Sequence, residues 1–269
     1  MYSEPERKIP LKRAIGYVVL SVCIIWGSLI GTWLVHKTVL QKRQKDPSYA
    51  IVGLVQTCPQ KECLSNWQLT ELLDISRDKP QNLYSFDAVQ ASTALLQCPV
   101  IKKAVCRRQP PGIIHVDYVV REPCALLADY SNVALDRDQF CFPLRPYFTP
   151  KRLPELYLGV GELSYNKPLD SKEANLAFKV LDYAKTILPP SCRIVRIDTN
   201  KAFAKSAGVQ EVVVALEDGG RTRYLRLNPL TYQKSLNRYT SLQDVFDQIN
   251  SSCPTQIIDL RSPSIALVK

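Results

Sequence analysis

The sequence predicts an α+β protein carried on one N-terminal transmembrane helix, with a small β-α-α-β-β domain and then a β-rich domain with two helices. Three observations carry this reading. Residues 14–35, AIGYVVLSVCIIWGSLIGTWLV, hold no charged side chain. Residues 49–121 interleave β-branched runs with two capped segments of helical length. From residue 122 onward, short apolar runs alternate with turn residues, and two longer stretches show helical periodicity.

As a helix, the 22 apolar residues reach about 33 Å, enough to cross a hydrocarbon core. Tyr17 and Trp33 lie near its ends, where aromatic rings suit the interface. The run continues past the small residues Gly27, Ser28 and Gly31 through Trp33, Leu34 and Val35, so it reads as an uncleaved anchor rather than a cleaved signal. The chain carries a formal charge of +10, and residues 1–45 hold eight bases against two acids. The basic excess brackets the apolar segment, which suits lipid headgroups and argues against a nucleic-acid face. Bases flank both sides, so charge does not set the orientation. A cytoplasmic tail of residues 1–13 and an extracytoplasmic bulk is the simpler topology, with residues 36–48 as a polar juxtamembrane linker.

In the small domain, 49–121, residues 49–57 form a first strand. Ser65 and Gln68 make a capping-box pattern for a helix through Leu73. Ser85 or Asp87 caps a second helix, about 87–97, which Pro99 ends. Strands over 100–107 and 113–121 flank the turn Gln109-Pro110-Pro111-Gly112. In the second domain, 122–269, short strands are expected over 125–130, 133–135 and 139–144. A helix over 171–188 carries the stripe Ala177, Val180, Leu181, Ala184 and Leu188. Strands 194–199, 209–217 and 221–227 follow, the last two joined through Asp218-Gly219-Gly220. A helix from Pro229 to about 250 has Leu236, Tyr239, Leu242, Phe246 and Ile249 as its stripe. Strands over 257–260 and 264–268 close the chain.

Eight cysteines lie beyond the apolar segment: Cys58, Cys63, Cys98, Cys106, Cys124, Cys141, Cys192 and Cys253. In an oxidising compartment they can form disulfides, and eight thiols allow 105 connectivities. Neighbours in sequence suggest Cys58/Cys63, Cys98/Cys106 and Cys124/Cys141, leaving Cys192/Cys253; free buried thiols are the equal alternative. No Cys-x-x-Cys occurs, and His36 and His115 lie away from any thiol pair, so no metal site is expected. His115 alternates with Ile114 and Val116 and reads as a structural strand residue. Asp136, Asp138, Glu217 and Asp218 read as turn acids, and Gly159-Val160-Gly161 lacks a third glycine. The expectation is a protein with neither catalytic residues nor cofactor.

The positive signal lies in the order of several short motifs. Leu95-Leu96-Gln97-Cys98-Pro99-Val100-Ile101 leads into Ala104-Val105-Cys106-Arg107, and Arg121-Glu122-Pro123-Cys124-Ala125 follows the next strand. Then come Leu153-Pro154-Glu155-Leu156, Val214 to Gly219 with Leu225 and Leu227, and Ile258-Asp259-Leu260-Arg261. This order resembles the FtsQ/DivIB cell-division family, whose membrane-proximal domain is a POTRA domain. Two departures stand out: the cysteine load, and Ser262-Pro263 where the family often has an aromatic residue. The resemblance implies a non-enzymatic divisome scaffold in the cytoplasmic membrane, enriched at the septum. It links early division proteins on the cytoplasmic side to septal wall synthesis through FtsB/FtsL-type bitopic partners. Two other readings stay open: a POTRA-bearing envelope transport or assembly protein, and a periplasmic enzyme. The implied mode of partner binding is strand addition. We expect the accepting edge over residues 264–268, with Ile265 and Leu267 on one face and Ser264, Ala266 and Val268 on the other. The alternative is that this strand is a covered end of the sheet.

The anchor reading predicts a mature chain that retains residues 1–31 by mass, and a C-terminal part that added protease digests in spheroplasts. Loss of residues 1–31, or protection of the C-terminal part, contradicts it.

Overall fold

The computed structural model describes residues 11–76, 78, 80–165, 167–218, 220–248 and 255–269. It is a mixed α/β chain with one apolar N-terminal helix and a β-rich body of two sheets. It divides into two compact units, one formed by residues 1–57, 66–92 and 105–117 and the other by 58–65, 93–104 and 118–269.

The first unit opens with α1 (Leu11–Lys45), 35 residues long. It is the one helix among the described residues long and apolar enough to cross a membrane. Ile15, Leu20, Ile24, Leu29 and Leu34 are exposed, with no protein surface covering them. The Ser28 hydroxyl donates to the Ile25 carbonyl at 2.8 Å and the Thr32 hydroxyl to the Ser28 carbonyl at 2.9 Å. Both polar groups are thus satisfied inside the helix, as a lipid environment demands. The helix does not end at residue 35. Residues 36–45, expected as linker, contain no glycine or proline and continue it to Lys45. Pro47 stops it, and the 3-10 turn Pro47–Tyr49 follows. The end of α1 is fastened: the Asn82 side-chain amide donates to the carbonyls of Arg43 and Asp46 at 2.9 and 3.0 Å. The Arg43 guanidinium lies over the Tyr84 ring at 5.3 Å.

Next come β1 (Gly53–Thr57), α2 (Asn66–Leu72), α3 (Ala88–Leu96), β2 (Ile101–Gln109) and β3 (Ile113–Val120). They form a sheet of order β1-β3-β2, with β1 parallel to β3 from Gly53↔Ile113 to Thr57↔Asp117. The first strand starts at Gly53 rather than 49 because the 3-10 turn takes Pro47–Tyr49. Asp87 caps α3, its Oδ1 accepting from the backbone of Val89 and Gln90. Gly112, in the β2–β3 turn, leaves no room for a side chain: a Cβ there would sit 2.2 Å from the Ala50 carbonyl oxygen.

The second unit holds β4 (Ala125–Leu127), β5 (Val133–Leu135), β6 (Cys141–Pro143), β7 (Glu155–Tyr157), α4 (Lys172–Ile187), β8 (Arg193–Asp198), β9 (Val212–Asp218), β10 (Arg221–Leu227), α5 (Tyr232–Ser241), α6 (Gln243–Gln248), β11 (Thr255–Asp259) and β12 (Leu267–Val268). The strands make one sheet of order β12-β11-β10-β9-β8-β7-β4-β5-β6. Ser171 caps α4, accepting from the Ala174 amide at 2.9 Å. Its expected stripe is buried in the core beside Leu156, Ile197, Val214, Leu225 and Ile258.

Three expectations are corrected here. A strand that periodicity did not show, β7, lies parallel between β4 and β8. It is three residues long, too short for a period of two to register. The single helix expected over 229–250 is two, giving three helices in this domain. It breaks at Leu242, whose amide reaches the carbonyls of both Arg238 and Tyr239, while the Thr240 and Ser241 hydroxyls bond back to the Asn237 carbonyl. Ile249, Gly219 and Cys253 lie outside the described residues. Finally, the closing strand is Leu267–Val268, not 264–268.

The central polar feature of this core is Arg223, 1% exposed. Its Nε donates to Gln256 Oε1 at 3.1 Å and its Nη1 to the Tyr239 hydroxyl at 3.1 Å, with Asp218 Oδ2 at 3.8 Å. Removing one partner of such a buried set strands the others. Arg223→Ala is expected to lower stability by about 3–5 kcal/mol in chemical denaturation of the full chain in detergent. Arg223→Met, which fills the space without a charge, is expected to lose less.

Candidate partner-binding edge

β12 is terminal in the nine-stranded sheet and pairs on one side, antiparallel to β11, as Ile258↔Val268 and Asp259↔Leu267. Lys269 and Ile257 extend the pairing with two backbone bonds of 2.9 and 3.0 Å. The five expected partner-binding residues divide by face. Ala266 and Val268 pack on the core. Ile265 and Leu267 are exposed, at 57% and 63%, and Ser264 is exposed beside them. Only Leu267 and Val268 join the ladder. The chain before them is governed by the turn at Ser262 and Pro263, and proline has no amide to donate.

That turn is held from α5. Arg238 donates to the carbonyls of Leu260 at 3.1 Å, Ser262 at 2.7 Å and Pro263 at 2.5 Å. The Ser235 hydroxyl donates to the Leu260 carbonyl as well, at 2.9 Å. One guanidinium thus satisfies three carbonyls within four residues of chain, which sequence patterning could not have shown: Arg238 lies next to the apolar stripe, and its partners are 22 to 25 residues away.

A charged cluster flanks the edge. Arg261 grips Asp259 through Nη2 at 2.7 Å and Nε at 3.0 Å, and its Nη1 donates to the Gly208 carbonyl at 3.1 Å. Arg226 pairs with Glu211 at 2.6 Å and reaches Asp259 at 3.4 Å. Between this cluster and β12 runs an open groove of about 510 Å³, lined by Ala207, Gly208, Gln210, Asn228, Asp259, Arg261, Ser262, Ile265 and Leu267. Apolar Ile265 and Leu267 and charged Asp259 and Arg261 thus line one groove at the terminal strand of the sheet.

Elsewhere, most of the residues singled out from sequence are buried or already paired. The eight described cysteines are free thiols. Cys98, Cys106, Cys141 and Cys192 are buried. Burial pushes the Cys141 thiol up to about 12 and those of Cys124 and Cys192 to about 11, so all three stay protonated and unreactive at neutral pH. Cys58 and Cys63 lie together, one half-buried and one exposed. The sequence offered no nucleophile–histidine–carboxylate set, yet the β1/β3 register creates one: the Thr57 hydroxyl is 3.0 Å from His115 Nε2, and His115 Nδ1 is 3.6 Å from Asp117. Arg107 already engages Asp117 at 3.0 Å. Asp136 is not a turn acid alone but is buried against Arg121 at 2.7 Å. No group of three metal-binding side chains occurs among the described residues.

No protein-family model matches this chain, and no curated protein matches it.

Burial raises the Asp259 carboxyl, but the bonds from Arg261 and the charges of Arg261 and Arg226 outweigh it and hold the group below the ordinary 3.8. Its contribution to the edge is therefore present above that value and lost as pH falls through the lowered one. A carbon-13 NMR titration of Asp259 is expected to give a midpoint below 3.8, and Arg261→Ala is expected to move it upward.

Proposed function

We propose that this chain is a non-enzymatic, single-pass scaffold of the bacterial divisome, of the FtsQ/DivIB kind, with residues 49–121 as its POTRA domain. The short N-terminal tail faces the cytoplasm, the bulk lies in the periplasm, and the protein concentrates at the septum. It connects early division proteins to wall synthesis by binding FtsB/FtsL-type bitopic partners. The β-α-α-β-β order and the apolar helix support the resemblance.

The observation that carries the binding mode is the terminal position of β12 beside the groove under Asp259 and Arg261. A partner strand would extend the sheet through main-chain hydrogen bonds, with Ile265 and Leu267 offering apolar contact. Affinity then depends on the backbone more than on the exposed side chains.

Ala266→Pro is accordingly expected to weaken pulldown of the bitopic partners while leaving the melting temperature nearly unchanged, because edge positions tolerate proline. Deleting residues 262–269 is expected to abolish binding. Wild-type binding by either variant places the site elsewhere.

A further inference from the structure

The loop after β1 brings two thiols together. The Cys58 Sγ donates to the Gln60 side-chain oxygen at 3.2 Å, and the Cys63 Sγ donates to the Gln60 backbone carbonyl at 3.2 Å. The two thiols also contact each other, and Cys58 touches the Tyr118 hydroxyl. That hydroxyl is fixed in turn, accepting from the Leu64 amide at 2.9 Å. The same Gln60 side-chain oxygen also accepts from the Val120 amide at 3.4 Å. Glu62, next to Cys63, is pinned by Lys151 at 2.8 Å and Thr149 at 2.5 Å. Both ends of the loop are therefore anchored with the sulfurs facing each other. The four buried cysteines lack this access to solvent.

We infer that Cys58 and Cys63 are a built disulfide site, closed by thiol–disulfide exchange with a small or protein disulfide. One thiolate attacks a sulfur of the oxidant, forming a mixed disulfide and releasing one thiol. The second cysteine displaces the other half. Two protein thiols become one disulfide, the oxidant's disulfide becomes two thiols, and the two protons pass to them. The closed loop, of six residues, locks the β1–α2 connection against Tyr118. Partial burial and then the neighbouring Cys58 hold the Cys63 thiol above its ordinary value, so exchange accelerates as pH rises. Closure inside a cell rests on the extracytoplasmic placement proposed above; the pairing itself does not.

The test treats purified full-length protein in detergent with oxidised glutathione, then blocks free thiols and digests with trypsin without reduction. Trypsin cuts after Lys61, between the two cysteines. The expected product is one species joining residues 46–61 to 62–77, split by reduction, and forming faster at alkaline pH. In Cys58→Ser, Cys63 is expected to be alkylated or glutathionylated instead. Two blocked, unlinked cysteines after oxidation, or Cys63 joined to any other cysteine, overturn the assignment. Protein acid-quenched directly from cells separates the two claims: a pair that closes in vitro but is reduced in cells overturns the periplasmic placement alone.

Discussion

A guanidinium with almost no access to water organises the C-terminal body. Arg223 points from β10 into the space between sheet and helix, where an unpaired charge could not persist. It finds Gln256 on β11 and Tyr239 on α5, so a parallel strand pair and a helix are tied at one point. Its cross-strand partner in the register is Gln256 itself. The consequence reaches the sheet edge. Tyr239 fixes the rotation of α5, and the adjacent Arg238 then faces the carbonyls of residues 260–263. That contact decides how the chain re-enters the sheet as β12. The edge is short, but it is positioned by buried chemistry rather than left as a loose terminus.

The membrane end shows the same economy of a few directed contacts. α1 runs ten residues beyond its apolar span as one helix, and Asn82 takes two of the carbonyls that its end exposes. With Arg43 stacked on Tyr84 and Tyr84 edge-on to Tyr49 at 5.0 Å, the helix meets the first unit without a flexible spacer.

The chain's chemically suggestive residues are mostly consumed by structure. Burial keeps Cys124, Cys141 and Cys192 protonated, and they fill volume as small apolar side chains. Thr57, His115 and Asp117 align because the parallel register of β1 and β3 puts them on one face. Cys58 and Cys63 differ because they are accessible, adjacent and held by neighbours.

What the sequence determined by itself was whatever has a local cause. The uncharged run dictated the apolar helix, the stripe from Ala177 to Leu188 dictated the buried face of α4, and Ser85 and Asp87 marked the start of α3, of which Asp87 is the cap. The alternation at the C-terminus separated Ile265 and Leu267 from Ala266 and Val268, and the packing decided that the second pair faces the core. Tertiary structure decided the rest. Residues 36–45 are polar enough for a linker, but nothing in them breaks a helix until Pro47. β7 exists because β4 and β8 offer its backbone partners on both sides. The clamp by Arg238, the burial of Arg223 and the groove beside β12 join residues tens of positions apart, and no window along the chain contains both halves of any of them.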